Sequence, residues 1–413
     1  MCGALDVHRP RLLYLASSFP FGKNDVFFAP EVRELVRQGV DVRAVPMRPR
    51  GPLTTPDAEP LTLRRPLVDA TILAGALAEF ARSPVGVVTS LGVLLRAPAP
   101  SVLLRNLAGF PKALWIARVA RTWGADHIHA HWAGPPSTAA LVASRLSGVP
   151  WSLTAHFSDI RAKNLLREKS TSARFVRFIA HAMAELARRT EPGCDESRWT
   201  VLHLGVELPA AVSWGSLNDP PVVLTAARLD VVKRQDTLLR AVRLLRDDGV
   251  DVEVWLAGSG PREQELRALV GELGLDDAVR FLGFVQNETL LEWLADGRVD
   301  VVALPSDGEG LPVSLIEALA HGVPAVATDV GGVAELLGDG CGELVPRDDV
   351  DELANAIRRL LRSPELRAER VHAGRMRVEQ EFGVAPVVRR LRELAGIGGA
   401  AEGGPRDSGE RHA

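Results

Sequence analysis

Cysteine, methionine and tyrosine are scarce, with three, four and one among 413 residues. Cys2, Cys194 and Cys341 lie far apart without metal-ligand spacing, which argues against a disulfide framework or a zinc site and for a reducing, cytoplasmic setting. Long apolar runs are missing as well. The stretch from Ala70 to Leu95 is broken by Glu79, Arg82 and Pro84, short of the roughly 18 clean residues that a membrane span needs. Near the amino terminus, "RLLYLASS" has no basic lead and no small-residue cleavage site, so a secretory leader is not expected. No Gly-x-Gly-x-x-Gly follows the first expected strand, which counts against a nicotinamide dinucleotide enzyme.

What is present begins with length. A single core stops growing at about 250 to 300 residues, so a chain of 413 is expected to form two domains. The charge is uneven between them: residues 1–200 hold 26 Lys and Arg against 16 Asp and Glu, and the remainder holds 23 against 36. A basic, partner-facing domain and an acidic one follow. No nucleic-acid recognition motif accompanies the basic half, so nucleic acid is not expected as a partner.

Short β-rich runs alternate with amphipathic helical stretches along the whole chain, the pattern of an α/β protein with parallel sheets. Strands are expected at 11–16, 41–45, 127–130, 151–154, 175–179 and 199–204, then again at 222–226, 252–257, 279–282, 299–304 and 325–328. Residues 61–125 read as a helical insertion, and "PAAVSWGSLNDPP", Pro209 to Pro221, as a linker. The expected division is 1–207, 208–380, a helix over 381–397 that could cross back to the first domain, and a disordered tail over 398–413. Ligands of doubly wound sheets sit beyond the carboxyl ends of the strands, so a cleft between two such domains is the place to look for chemistry.

The densest motif is "SDGEGLPVSLIEALAHGVPAVATDVGG", in which Glu309 and Glu317 stand eight positions apart. Pro312 suits a helix start and Gly322 its stop, so the free N–H groups and positive dipole end lie beside Glu309, Gly310 and Leu311. Such an end binds anions, and a carboxylate on either side accepts from vicinal sugar hydroxyls. A capping Glu309 and a solvated Glu317 would fit the spacing equally well. Arg228 and Lys233 in "TAARLDVVKRQDTLLRAV" place two cations in a loop after a strand, suited to a diphosphate or simply to solvent. Gly258 and Gly260 in "LAGSGPREQEL" permit close approach of a ligand. His156 in "SLTAHFSDI" stands just past a strand end, as do His129, His131 and Trp132 in "IHAHWAG". Alternating histidines raise a metal question, but no third ligand is visible nearby, so no metal is expected.

Together, "HAHWAGPPSTAALVASRLSGVPWSLTAHFSDI", "AARLDVVKRQDTLLRA", "LAGSGPREQEL" and "EGLPVSLIE" resemble, in this order, glycosyltransferase family 4 with its Glu-x7-Glu signature. The resemblance implies a GT-B fold of two Rossmann-like domains facing each other across a cleft, and a hexosyl transferase that retains anomeric configuration. No cofactor beyond the nucleotide-diphosphate sugar donor is then required. It implies contact of Glu309 with donor-sugar hydroxyls, of Glu317 with the ribose, and of Arg228, Lys233 and the Gly310 and Leu311 amides with the diphosphate. His156 would lie near the reacting centre, and main-chain groups near Phe284 and Val285 would select the base. Two features depart from the pattern: "SSFPFGKNDVFFAPEV" replaces the Gly-Gly loop after the first strand, and Lys233-Arg234 replaces Lys-Gly. The opening segment is similar to that of bacterial exopolysaccharide transferases, and a glycan or lipid-linked acceptor presented at the inner membrane face would suit the basic stretch over residues 61–125.

Residues 61–125 carry Arg64, Arg65, Arg82, Arg96, Arg105, Lys112, Arg118 and Arg121 against Asp69 and Glu79 alone. A surface that docks on anionic membrane is one expectation, and packed helices with solvated basic faces the other. Two rivals share the motifs. A nucleotide-sugar 2-epimerase would convert the donor with no acceptor present, and a non-catalytic binder would release no nucleoside diphosphate.

Overall fold

The computed structural model describes residues 9–22, 25–210, 212 and 215–398. The expected tail lies outside them apart from Gly398. The first sheet holds β1 (Arg11–Ala16), β2 (Asp41–Pro46), β3 (His127–His131), β4 (Trp151–Ala155), β5 (Phe175–Phe178) and β6 (Trp199–Val201). The second holds β7 (Val222–Ala226), β8 (Glu253–Ala257), β9 (Val279–Gly283), β10 (Val301–Leu304), β11 (Ala325–Thr328) and β12 (Glu343–Val345). Their orders are β2-β1-β3-β4-β5-β6 and β12-β11-β10-β7-β8-β9, and every pairing is parallel. Strands buried on both faces read as continuous apolar runs, as in Leu12–Leu15 and Val301–Leu304.

β6 is shorter than the expected 199–204. The Leu202 and His203 carbonyls accept from the buried Arg177 guanidinium, at 2.8 Å for Leu202, and the chain turns away toward the second domain. β12 was not expected at all; three residues after a glycine-rich turn are too few to show a period of two.

Between β2 and β3 lie the helices Ala70–Arg82, Pro84–Leu94 and Pro100–Trp123. They do not present a uniformly basic face. Lys112 is fully buried and donates to the carbonyls of Pro46, Met47 and Arg65, stapling the helices to the end of β2. Burial pushes its ammonium down to about 8. Arg82 and Arg121 close on the buried Glu79 carboxylate at 2.5 and 2.7 Å. The exposed side of the first two helices is apolar, with Leu73, Leu77, Phe80, Val85 and Val88 facing out. Among the described residues no single helix is long and apolar enough to cross a membrane, and these two bend against each other by 111°.

Helix Val384–Ala395 packs on the first domain, where Val384, Val388 and Leu391 join Leu12, Val32 and Phe175 in one apolar cluster. The crossing is tied by Val206 N–H to Phe382 O at 2.8 Å and by Val384 N–H to Val206 O at 2.9 Å.

Candidate active site

Each sheet reverses its winding once, between β1 and β3 in the first and between β7 and β10 in the second. Loops leaving adjacent strands at such a point diverge and open a crevice. Both crevices face one cleft of about 1080 Å³. β1 and β3 send Ser17, Ser18 and Trp132 to it, while β7 and β10 send Arg228, Lys233, Glu309 and Gly310. His156, Gly258, Val285, Leu311 and Glu317 line it as well.

On the second domain the charged loops are stitched together. Asp307 N–H donates to Val232 O at 2.7 Å, and Gln235 Nε2 donates to Arg228 O at 2.8 Å. Lys233 Nζ then meets Glu309 Oε1 at 2.5 Å. Arg234, where the family pattern has glycine, takes a left-handed φ of +48°. Its guanidinium pairs with Asp307 at 3.1 Å and with Asp348, which holds the residue in that backbone region. The Arg228 side chain is 68% exposed and 3.6 Å from Asp230, so it is free to turn into the cleft.

Helix Val313–Ala320 starts one residue later than its expected first residue, with Pro312 as the cap, and no side chain covers its first N–H groups. Those groups and the dipole end open toward Gly310 and Leu311. Glu317 is buried near the next turn and accepts from Asn287 Nδ2 at 3.0 Å. Burial raises its carboxyl to about 7 in spite of that hydrogen bond. The glycine pair after β11 serves this loop: a Cβ on Gly331, at φ +57°, would meet Glu309 O at 1.9 Å.

Gly258 and Gly260 answer to the same physics. A Cβ on either would strike Ala227 O or Leu229 O, at 1.9 and 2.1 Å. The two glycines admit the backbone of the Arg228 loop, and of the pair only Gly258 lines the cleft. Both were expected to leave room for a ligand; in the fold Gly260 makes room for Leu229 and stands off the cleft lining.

The first-domain wall is buried and polar. His156 Nε2 stands 3.0 Å from His131 Nε2, and the His156 ring lies 4.4 Å from that of Trp132. Burial, with Arg177 beyond His131, lowers the His156 imidazole to about 3, so it is neutral. Asp159 accepts from the His156 N–H at 2.7 Å and from Ala133 N–H, yet burial carries its carboxyl up to about 7. Trp132 has φ +101°, a conformation an aromatic residue rarely adopts, and its Nε1 donates to Asp25 at 3.0 Å.

Sequence reading did not find Asp25, Phe27, Trp132's role as a wall, Arg161 or Asn287, all of which line the cleft. Asn287 had no signal beyond its place at a helix start after β9. Glu31 joins His129 and His131 in a group with spacing suited to a metal ion, a third ligand almost one hundred positions away in the chain. Its atoms are already committed: Glu31 to Arg177 at 2.5 Å and Tyr14 at 2.8 Å, and His129 to Ser152 and Thr154 at 2.8 and 3.0 Å. With a fixed guanidinium as the local cation, the group reads as a hydrogen-bonded network.

Two parallel-sheet domains that turn their switch points, two cations and a helix start toward one cleft form a site suited to an anionic ligand held between them. Comparison with known proteins narrows this. Residues 31–209 match the model of glycosyltransferase family 4, and residues 211–377 that of glycosyl transferases group 1. A putative colanic acid biosynthesis glycosyltransferase, WcaL of Escherichia coli, is 30% identical over 67% of this chain and 72% of its own. The 2-deoxystreptamine glucosyltransferase of Streptomyces kanamyceticus is 29% identical over 70% of this chain and 84% of its own. HepE of Anabaena, solved with UDP-glucose, superposes with a TM-score of 0.69 at 18% identity, covering 94% of this chain and 99% of that one. The chain belongs to this glycosyltransferase family and has the GT-B fold. It is a glycosyltransferase with relatives in exopolysaccharide biosynthesis.

Proposed function

We propose that the protein transfers a sugar from a nucleotide-diphosphate donor, with retention at the anomeric carbon, to a glycan or lipid-linked acceptor in cell-envelope or exopolysaccharide assembly. The observation that carries this reading is the convergence of Arg228, Lys233, Glu309 and the start of helix Val313–Ala320 on one cleft. Breaking the bond from the anomeric carbon to phosphate builds negative charge on the departing diphosphate. Protein cations and backbone N–H groups aimed at that charge supply the stabilisation. Lys233 exchanges Glu309 for a phosphate oxygen, and the freed carboxylate accepts from donor-sugar hydroxyls. Glu317 reaches the ribose. No resident cofactor or metal enters this scheme.

Retention follows the family: the acceptor attacks from the side that the diphosphate leaves, and its proton passes to a phosphate oxygen. A thermal-shift panel of UDP, GDP and ADP sugars tests the reading. One class is expected to stabilise the protein selectively and to release nucleoside diphosphate only with acceptor present. Conversion of the donor alone, or no shift with any, ends it.

The acceptor reading places the enzyme in the cytoplasm, peripheral at the inner membrane face. Its support is the apolar exposed side of helices Ala70–Arg82 and Pro84–Leu94, with Leu77 at 69% and Val85 at 74% exposure, beside the exposed Arg96 and Arg105. Sedimentation with anionic vesicles is expected to exceed that with neutral ones, and Leu77→Glu to reduce it. Equal, negligible binding to both ends the membrane contact.

A further inference from the structure

Beneath His156 a chain of hydrogen bonds runs into the core of the first domain. His131 Nδ1 lies 2.6 Å from the Tyr14 hydroxyl, the hydroxyl 2.8 Å from Glu31 Oε1, and Glu31 Oε2 2.5 Å from Arg177 Nη1. Tyr14, Glu31, His131 and Arg177 are all buried, and Tyr14 is the chain's only tyrosine. In a dry interior each polar atom must find a partner, so the direction of every bond is constrained.

The direction is set at the Arg177 end. A guanidinium only donates, and an ionised carboxylate only accepts. Burial works against ionisation of Glu31, but Arg177, His129 and Tyr14 together hold its carboxyl below the ordinary range. Tyr14 has one proton, which goes to Glu31, so its oxygen must accept. His131 Nδ1 therefore carries the hydrogen and its Nε2 is bare. Two imidazoles that meet through Nε2 atoms at 3.0 Å share one proton, and it can only belong to His156.

We propose that Tyr14, Glu31 and Arg177 are positioning residues, acting through His131 to hold His156 as the neutral tautomer with hydrogen on Nε2 and a bare Nδ1. On this assignment the imidazole has no proton to offer the cleft. Its one remaining lone pair accepts, from a sugar hydroxyl or from an N–H of the helix Phe157–Arg161 that His156 caps. His156 then orients substrate and is not a general acid. The rings of Trp132 and Phe27, with centroids at 4.4 and 5.6 Å, hold it in that pose. The charged groups around it are Asp159 in its own turn, Arg177 behind His131, and Asp25, which holds Trp132. This inference rests on the proposed cleft for its functional meaning, but the tautomer itself does not.

Nitrogen NMR of the full chain labelled in histidine reads it directly, without substrate, the His156 signals being assigned by their loss in His156→Asn. The expected result is a pyridine-type Nδ1 and a pyrrole-type Nε2 that hold from about pH 5.5 to about 8, a range in which a free imidazole titrates. Hydrogen on Nδ1, or titration in that range, overturns the proposal. Tyr14→Phe keeps the ring and removes the oxygen. His156 is then expected to mix tautomers, and turnover to fall on the order of tenfold with a smaller change in donor KM. An unaltered tautomer in that variant also overturns it, because a purely structural role would lower activity without changing the nitrogen signals. Should Tyr14→Phe fail to fold, the wild-type spectrum alone decides. A transfer reaction that fails with the tautomer as assigned would count against the proposed function and not against the network.

Discussion

The two walls of the cleft are built differently. On the first domain the polar groups are buried and already paired: His156 with His131, Trp132 with Asp25, Glu31 with Arg177. On the second, Arg228 is largely exposed and Lys233, partly open to solvent, is paired with the Glu309 carboxylate. A buried network resists change because any broken bond leaves a desolvated group behind. Charged loops near water exchange partners at little cost. A transferase needs both: one wall that keeps its geometry, and one that captures and releases a highly charged leaving group.

That contrast can be broken at its strongest point. Arg177→Met leaves the Glu31 carboxylate buried without its cation and is expected to destabilise the first domain by about 3 to 5 kcal/mol. Chemical denaturation measures it, and a loss under about 1 kcal/mol would mean that the network is not ion-paired. Lys233→Ala and Arg228→Ala should fold normally and instead lower turnover by about 100-fold or more, the scale of one preorganised contact to developing charge. Near-wild-type rates in both would remove the second wall from the mechanism.

A smaller effect tests Glu317. Burial raises its carboxyl from the ordinary 4.5 to about 7 in the fold. Between about 4.5 and about 7 the folded chain keeps a proton that the unfolded chain has lost, so stability falls as pH rises through this window and levels off above it. Asp159, raised to about 7 by its own burial, adds a fall of the same sign. Glu317→Gln should therefore flatten the curve in part, and the difference between the two melting profiles isolates Glu317. Parallel profiles would show that its carboxyl titrates as in water.

Much of this was legible in the chain. Parallel-sheet strands buried on both faces announce themselves as short apolar runs, and eleven of the twelve strands among the described residues fall where such runs were read. The second wall was legible too, because Arg228, Lys233, Glu309 and Glu317 sit in local patterns of strand, loop and helix start. Of the first wall, His131, Trp132 and His156 were legible as strand-end residues, but the network that joins them to the core was not. Tyr14, Glu31, His131, His156 and Arg177 come from five separate segments, and nothing in any one of them signals the others. The insertion was legible only in part: its basic residues can be counted in the sequence, but which are spent on Glu79 or on the carbonyls capped by Lys112 cannot.

By itself, then, the sequence determined the α/β winding and the run of charged loops and helix start in the second half of the chain, since these depend on periodicity and on neighbours in the chain. Only the tertiary structure decided which polar groups lost their water. Desolvation is a property of everything packed around a side chain, and it is what neutralises His156, raises Glu317 and joins Arg177 to Glu31 across 146 positions.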